Sequence, residues 1–219
     1  MLTILLRKNG YVACVKPRGV SSENGTPACP GMPELVARAL QVPAEQVLTV
    51  HRLDRETGGV MLYALNRAAA AALSALIAEG KLRKEYLAVT EGVPPEPDGQ
   101  WEDLLFWDRT KRKSYPVRRE RRGVKEASLR YTTLEARKNR ALLRVEPLTG
   151  RTHQIRVQCA SRGLPLWGDR KYGGKEKEGF GLWCQSLSFE DGTDGSWVRA
   201  AADPPDEQPW TGFDLSPER

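Results

Sequence analysis

Apolar and polar positions fall into short blocks along the chain, and the period changes from block to block. Residues 11–16, YVACVK, form a compact apolar run closed by Pro17 and Gly19, which predicts a strand. Residues 17–32 are rich in Pro, Gly, Ser and Asn and read as a loop. Pro33 suits the first turn of a helix over PELVARALQ, halted near Pro43. Residues 47–53 read as extended, and VMLYAL at 60–65 as a buried strand. Asn66 then stands as N-cap to RAAAAALSALIAE, with Gly80 as its C-terminal stop. Lys84 to Glu91 predicts a further strand, ended by Gly92 and the Pro94–Pro95 pair. ASLRYTTLE at 127–135 and ALLRVE at 141–146 read as an antiparallel pair joined by RKNR. A helix is expected over 152–162, and residues 183–190 and 196–201 flank the hairpin turn DGTDGS. From Asp203 the chain is acidic and holds four prolines, as a loosely held tail would. The pattern predicts one mixed, sheet-rich domain over residues 1–202 and a tail over 203–219.

Composition narrows the class. A chain of 219 residues, 40% apolar and 28% charged, can bury a core without metal or disulfide support. Its longest purely apolar runs, such as Ala68 to Leu73, are far too short to span a bilayer. About five apolar residues precede Arg7, fewer than a secretory signal needs, so a cytoplasmic protein is expected. Cys14, Cys29, Cys159 and Cys184 are scattered, and His51 and His153 are the only histidines. A zinc site would have to gather ligands from remote positions, so four reduced thiols and no metal are expected.

Charge changes the picture more than composition does. The net charge is +6, but residues 109–125, RTKRKSYPVRRERRGVK, carry nine Lys/Arg and one Glu, a net +8. The remainder, with 25 Lys/Arg and 27 Asp/Glu, is −2. The stretch reads as a hairpin with a mobile tip. Such a cluster suits a phosphate backbone, where each neutralised phosphate releases counterions. A merely solvated, charged hairpin fits the same composition.

Two segments are candidates for chemistry. In His51-Arg52-Leu53-Asp54-Arg55-Glu56-Thr57-Gly58-Gly59 a carboxylate stands between two arginines just before a glycine pair. Fixed positive charge keeps a carboxylate ionised, so Asp54 would serve as nucleophile or base rather than acid. An exposed loop ion pair explains the same residues. In Thr149-Gly150-Arg151-Thr152-His153-Gln154-Ile155-Arg156, polar donors and two arginines gather at an expected loop-to-helix junction, a setting suited to phosphate. An ordinary capped helix with a polar face is the alternative.

HRLDRETGG resembles the HRLD-x-x-T-S-G signature of the RluA-type pseudouridine synthases, with a glycine where that family has Ser. Three further segments resemble the family's motifs in its order. Lys84-Glu85-Tyr86 is similar to its K-x-Y strand, and the 149–156 segment to its TGR-x-HQ-[IL]-R motif. Gly163-Leu164-Pro165-Leu166-Trp167-Gly168-Asp169 followed by Tyr172-Gly173 is similar to its G-x-P-[IL]-x-GD-x-x-YG motif. The opening VACVKPRGV matches a lead-in strand ending in K-P-x-G, and Gln158 stands where a His is common. The resemblance runs from about residue 11 to about 202. Because the lead-in starts within ten residues of Met1, the chain resembles a stand-alone catalytic domain without an N-terminal S4 domain.

The resemblance implies isomerisation of uridine to pseudouridine in ribosomal or transfer RNA, without cofactor or metal. It implies an α+β fold with a central, mostly antiparallel mixed sheet, flanking helices and loops, and an active-site cleft across the sheet. The family's essential aspartate falls at Asp54, acting as nucleophile or as base in a glycal route. Its stacking tyrosine falls at Tyr86, and the arginine that pairs with the aspartate at Arg156. Arg52 matches the arginine that fills the gap left by the flipped base. Ile155 and Leu166 are expected as pocket walls, and Arg151, His153 and Gln154 as substrate contacts. Lys111, Arg112, Lys113, Arg118, Arg119, Arg121 and Arg122 are expected to meet the RNA backbone. A monomer is expected. A fold retained for RNA binding alone is the main rival. A hydrolase using His51 or His153 with Asp54 is weaker, since no Ser or Cys nucleophile motif accompanies them.

Overall fold

The computed structural model describes residues 1–8, 10–192 and 194–215. Among the described residues the elements are β1 (Ile4–Lys8), β2 (Tyr11–Lys16), α1 (Met32–Leu40), β3 (Leu48–Thr49), β4 (Gly58–Ala64), α2 (Arg67–Ala78), β5 (Arg83–Glu91), β6 (Asp98–Asp108), β7 (Lys113–Val117), β8 (Val124–Arg137), β9 (Arg140–Pro147), α3 (Gln154–Ser161), β10 (Leu182–Glu190) and β11 (Trp197–Ala201). The fold is α+β. The chain forms two compact units, Met1–Lys84 with Trp183–Pro204, and Glu85–Leu182 with the residues from Pro205 onward. The changes of unit fall inside β5 and at the head of β10 rather than in a linker, so no shift in composition marks them.

In the first unit β2 runs antiparallel to β1 and β4, and β3 antiparallel to the end of β4. β10 lies parallel to β4 at Trp183↔Gly58 and Cys184↔Gly59, and β11 returns antiparallel along β10. Every residue of β4 is buried, which is why GGVMLYA shows no alternation. The turn between β10 and β11 includes Thr193, which lies outside the described residues. α2 starts where the sequence predicts, with Asn66 Oδ1 accepting from the Ala69 N–H at 2.8 Å. α1 carries Pro33 in its first turn, and the Glu34 carboxylate accepts from the Gly31 N–H at 2.9 Å.

In the second unit β5, β9, β8, β6 and β7 follow one another antiparallel. α3 lies on one face, where Val157 and Tyr172 pack with Leu105 and Ala127. This helix begins at Gln154 rather than at 152, because His153 sits at φ +55° in the left-handed region and cannot extend it. The basic stretch forms the β6–β7 turn, β7 itself and the β7–β8 connection. The segment from Asp203 is not loosely held as far as it is described. Trp210 and Phe213 are buried, and the Arg137 and Arg140 guanidiniums lie 4.8 and 4.9 Å from the Phe213 ring centre. Two aromatic anchors outweigh the prolines and acids that suggest a tail. Residues 216–219 lie outside the described residues.

Candidate active site

In the first unit the loop bearing Asp54 is fastened through its main chain. Lys16 closes β2 as a fully buried lysine. Its ammonium donates to the carbonyls of Pro17, Arg55 and Thr57 at 3.0, 3.1 and 2.7 Å. Burial pulls its pKa down to about 8, against the raising effect of Glu56 and Asp54. Ser22 Oγ donates to the Leu53 carbonyl at 2.8 Å and accepts from the Leu53 N–H at 3.1 Å. The Thr57 N–H donates to the Asp54 carbonyl at 3.0 Å, which closes a turn around the carboxylate residue. The side chain of Asp54 stays half-buried. Gly59 follows at φ +119°, and a Cβ there would lie 2.2 Å from the Cys184 carbonyl oxygen, so only glycine lets β4 meet β10.

His51 belongs to the same fastening. Its Nε2 accepts from the Leu62 N–H at 3.0 Å, which places the ring proton on Nδ1. Burial, with the nearby Lys84 ammonium, holds its pKa well below 6.5, so the ring is neutral near pH 7. Its basic nitrogen is committed to β4, which removes His51 as the base of a hydrolase. Arg52 lies on the surface in an ion pair with Glu23 at 3.0 Å, both side chains about 60% exposed.

In the second unit Arg156 is buried, 5% exposed, on α3. Its Nε and Nη2 donate to the two carboxylate oxygens of Asp169 at 2.6 and 2.8 Å. The guanidinium also lies 5.1 Å from the ring centre of Tyr172 and 5.3 Å from that of Phe180. Tyr172 is fixed in turn: its hydroxyl accepts from the Ser114 N–H at 2.8 Å and shares a hydrogen bond with His153 Nδ1 at 2.9 Å. Lys113 Nζ lies 4.9 Å from the same ring, and Trp107 meets His153 edge to face at 5.2 Å. A permanent cation is thus held in a dry, aromatic surrounding by a bidentate carboxylate.

Tyr86 is buried on β5, where its backbone pairs with Val145 of β9. Ile155 is 6% exposed, whereas Leu166 has no exposed surface at all. Gln154 accepts from Thr149 Oγ1 at 2.7 Å and the Arg151 N–H at 2.9 Å, and donates to the Ser128 carbonyl at 3.0 Å. Its amide closes the 149–154 loop instead of facing outward. Arg151 Nε donates to the Glu126 carbonyl at 2.7 Å. Gln158 donates to Asp103 at 2.8 Å and ties α3 to β6. Lys111, Arg112, Arg118, Arg119, Arg121 and Arg122 are exposed, and Lys113 is half-buried. Lys16, Asp169 and Tyr172 carry no assigned role in the sequence reading. The last two lie in the quoted GD-x-x-YG segment, but which side chain they hold is visible only in three dimensions. Among the described residues no helix is long and apolar enough to cross a membrane.

Comparison with known proteins addresses the family and the fold. The family described as RNA pseudouridylate synthase matches residues 10–161. An "uncharacterized RNA pseudouridine synthase" of Haemophilus influenzae is 33% identical over 172 residues, covering 78% of this chain and 74% of that protein. The ribosomal large subunit pseudouridine synthase C of Buchnera aphidicola is 32% identical over 177 residues, covering 81% of this chain. Against that relative the chain spans only 56% of the length. The solved structure of human RNA pseudouridylate synthase domain containing 4 shares the fold, with a TM-score of 0.76 at 22% identity over 93% of this chain and 88% of that one. With most of its length matched by the family model, and the fold shared as well, this chain belongs to the RNA pseudouridylate synthase family.

Proposed function

We propose that the chain isomerises uridine to pseudouridine within RNA. The N1 glycosidic bond breaks, the base turns, C5 joins C1′ of the ribose, and the hydrogen of C5 leaves as a proton. The observation that carries the reading is the Asp54 loop, a half-buried carboxylate on a main chain fastened by Lys16, Ser22 and His51. Such fastening holds the backbone of a reacting group in place. Asp54 takes the role of nucleophile at C1′ or of base in a glycal route. Tyr86 stacks on the target base, and Arg156 supplies a charge that no physiological pH removes. Arg52, exposed at the edge of the loop, fills the gap that the flipped base leaves. The 109–125 segment meets the phosphate backbone. The relatives named for the large ribosomal subunit favour ribosomal RNA as the substrate. A monomeric, cytoplasmic enzyme completes the proposal.

Release of tritium from [5-³H]uridine-labelled ribosomal RNA, in EDTA, tests it directly, with transfer RNA as a second substrate. The wild-type chain should release tritium, and Asp54→Ala should lower the rate by about a thousandfold or more while still binding RNA. Turnover by Asp54→Ala would remove Asp54 from its role. Absence of release by the wild type from both RNAs, with binding intact, would favour a protein that binds without catalysis.

A further inference from the structure

We infer that the sheet face formed by β6, β7 and β8 on the side opposite α3 is a stacking surface for unpaired RNA bases, with Phe106 and Tyr115 as its platform. The inference rests on the RNA reading above and names a second contact for the same substrate. Strand alternation defines the face. Leu105 and Ala127 pack with Val157 of α3, so the neighbouring positions on each strand point the other way. The register pairs Phe106 with Tyr115 on one side and Val124 on the other, which makes a row across three strands. The next row is Val117, Leu104 and Glu126. Five of these six side chains are apolar or aromatic, and all five are half-buried rather than buried. The solvent side of an antiparallel sheet is ordinarily polar, so this apolar face needs an occupant.

Charge identifies the occupant. The Arg121 guanidinium lies 4.8 Å from the Phe106 ring centre, and Lys111 and Lys113 lie 5.8 and 5.7 Å from that of Tyr115. The segment that supplies them, residues 109–125, carries nine cations and one carboxylate. Aromatic rings interleaved with cations on an open sheet are what stacked bases and their phosphates require, and a guanidinium plane extends the stack. An open concavity of about 430 Å³ on this face is lined by Leu104, Glu120, Arg121, Val124 and Glu126. The two carboxylates there accept from the exocyclic amino groups of adenine, cytosine or guanine. Uracil has no such group. The surface is suited to nucleotides flanking the target.

The test titrates the full chain with a fluorescein-labelled oligocytidylate, which contains no uridine and so reads this surface independently of turnover. Tyr115→Leu should weaken binding about 5- to 100-fold while leaving the slope of log K against log salt unchanged. Tyr115→Trp should restore the affinity, and Arg121→Gln should instead flatten the slope. A duplex RNA of the same length should bind Tyr115→Leu and wild type alike. Equal binding of oligocytidylate by Tyr115→Leu and wild type overturns the inference, as does an equal loss on duplex. Equally tight binding of polyglutamate, insensitive to Tyr115, would mark a face for an acidic protein and also overturn it. Failure of tritium release with these results intact would sink the isomerase reading and leave the stacking surface standing.

Discussion

The loop of Asp54 and the surroundings of Arg156 are fastened through different groups. In the loop of Asp54 the main chain is fastened: Lys16 to three carbonyls, Ser22 to both polar groups of Leu53, and His51 to β4. Around Arg156 the contacts go to the side chain itself, through Asp169 and two aromatic rings. The difference suits the role proposed for each group. Asp54, the proposed reacting group, is half-buried on a backbone that is fixed. Arg156, proposed to supply charge, is buried beside a bidentate carboxylate that offsets the cost of removing it from water.

Breaking the second arrangement should have the larger effect. Asp169→Ala removes the bidentate partner of a buried guanidinium and should cost about 3–5 kcal/mol. For a chain of this size that lowers Tm by roughly 6–20 °C. Differential scanning calorimetry reads this directly. Asp169→Leu combined with Arg156→Met should recover most of the loss, since the buried charge goes with its partner, while tritium release stays absent. A double variant no more stable than Asp169→Ala would show that the pair contributes more than mutual neutralisation.

Lys16→Met tests the first arrangement and should cost about 2 kcal/mol, because three carbonyls lose their donor while one buried charge is relieved. Its pH signature is more telling. The folded lysine titrates at about 8 and the unfolded one near 10.5. Between those values the unfolded chain holds a proton that the folded one has shed, so this group's contribution to stability rises with pH. His51 acts at the other end of the range. It is held neutral in the fold, and the unfolded chain gains a proton as pH falls through 6.5, so stability drops there. Denaturant titrations from pH 5 to 10 should show the alkaline rise in wild type but not in Lys16→Met. Parallel curves for the two proteins would show that Lys16 keeps an ordinary pKa.

The two arrangements were also legible to different degrees. Strands such as 11–16 and the helix capped by Asn66 stand out because their signals are local: an apolar run, a cap, a glycine stop. Asp54, Tyr86 and Arg156 are readable as candidates because short motifs carry them. What holds them in place is not readable. Lys16 looks like the polar end of a strand, and only tertiary packing buries it beneath a loop nearly forty positions later. Asp169 stands 13 residues beyond Arg156, and no periodicity joins them. Gln154 reads as a substrate contact because its amide is polar, yet its bonds close the adjacent loop. The tail misleads for the same reason: Phe213 gains its anchoring from Arg137 and Arg140, far away in sequence.

The finest test of the contrast is Tyr172→Phe. It keeps the ring beside Arg156 and Lys113 but removes the hydroxyl that accepts from the Ser114 N–H and bonds His153. The stability cost should be small, about 1–2 kcal/mol, because one buried N–H loses its acceptor and the packing survives. If ring packing positions Arg156, kcat for tritium release should stay within about twofold of wild type in Tyr172→Phe and fall about tenfold or more in Tyr172→Leu, with KM little changed. If the hydroxyl's link to β7 and His153 positions it instead, Tyr172→Phe alone should show the full loss in kcat. The first outcome leaves Arg156 held by its immediate side-chain neighbours only. The second would mean that the backbone of β7 helps to hold it, as the main chain holds Asp54, and the contrast between the two regions would narrow to one of degree.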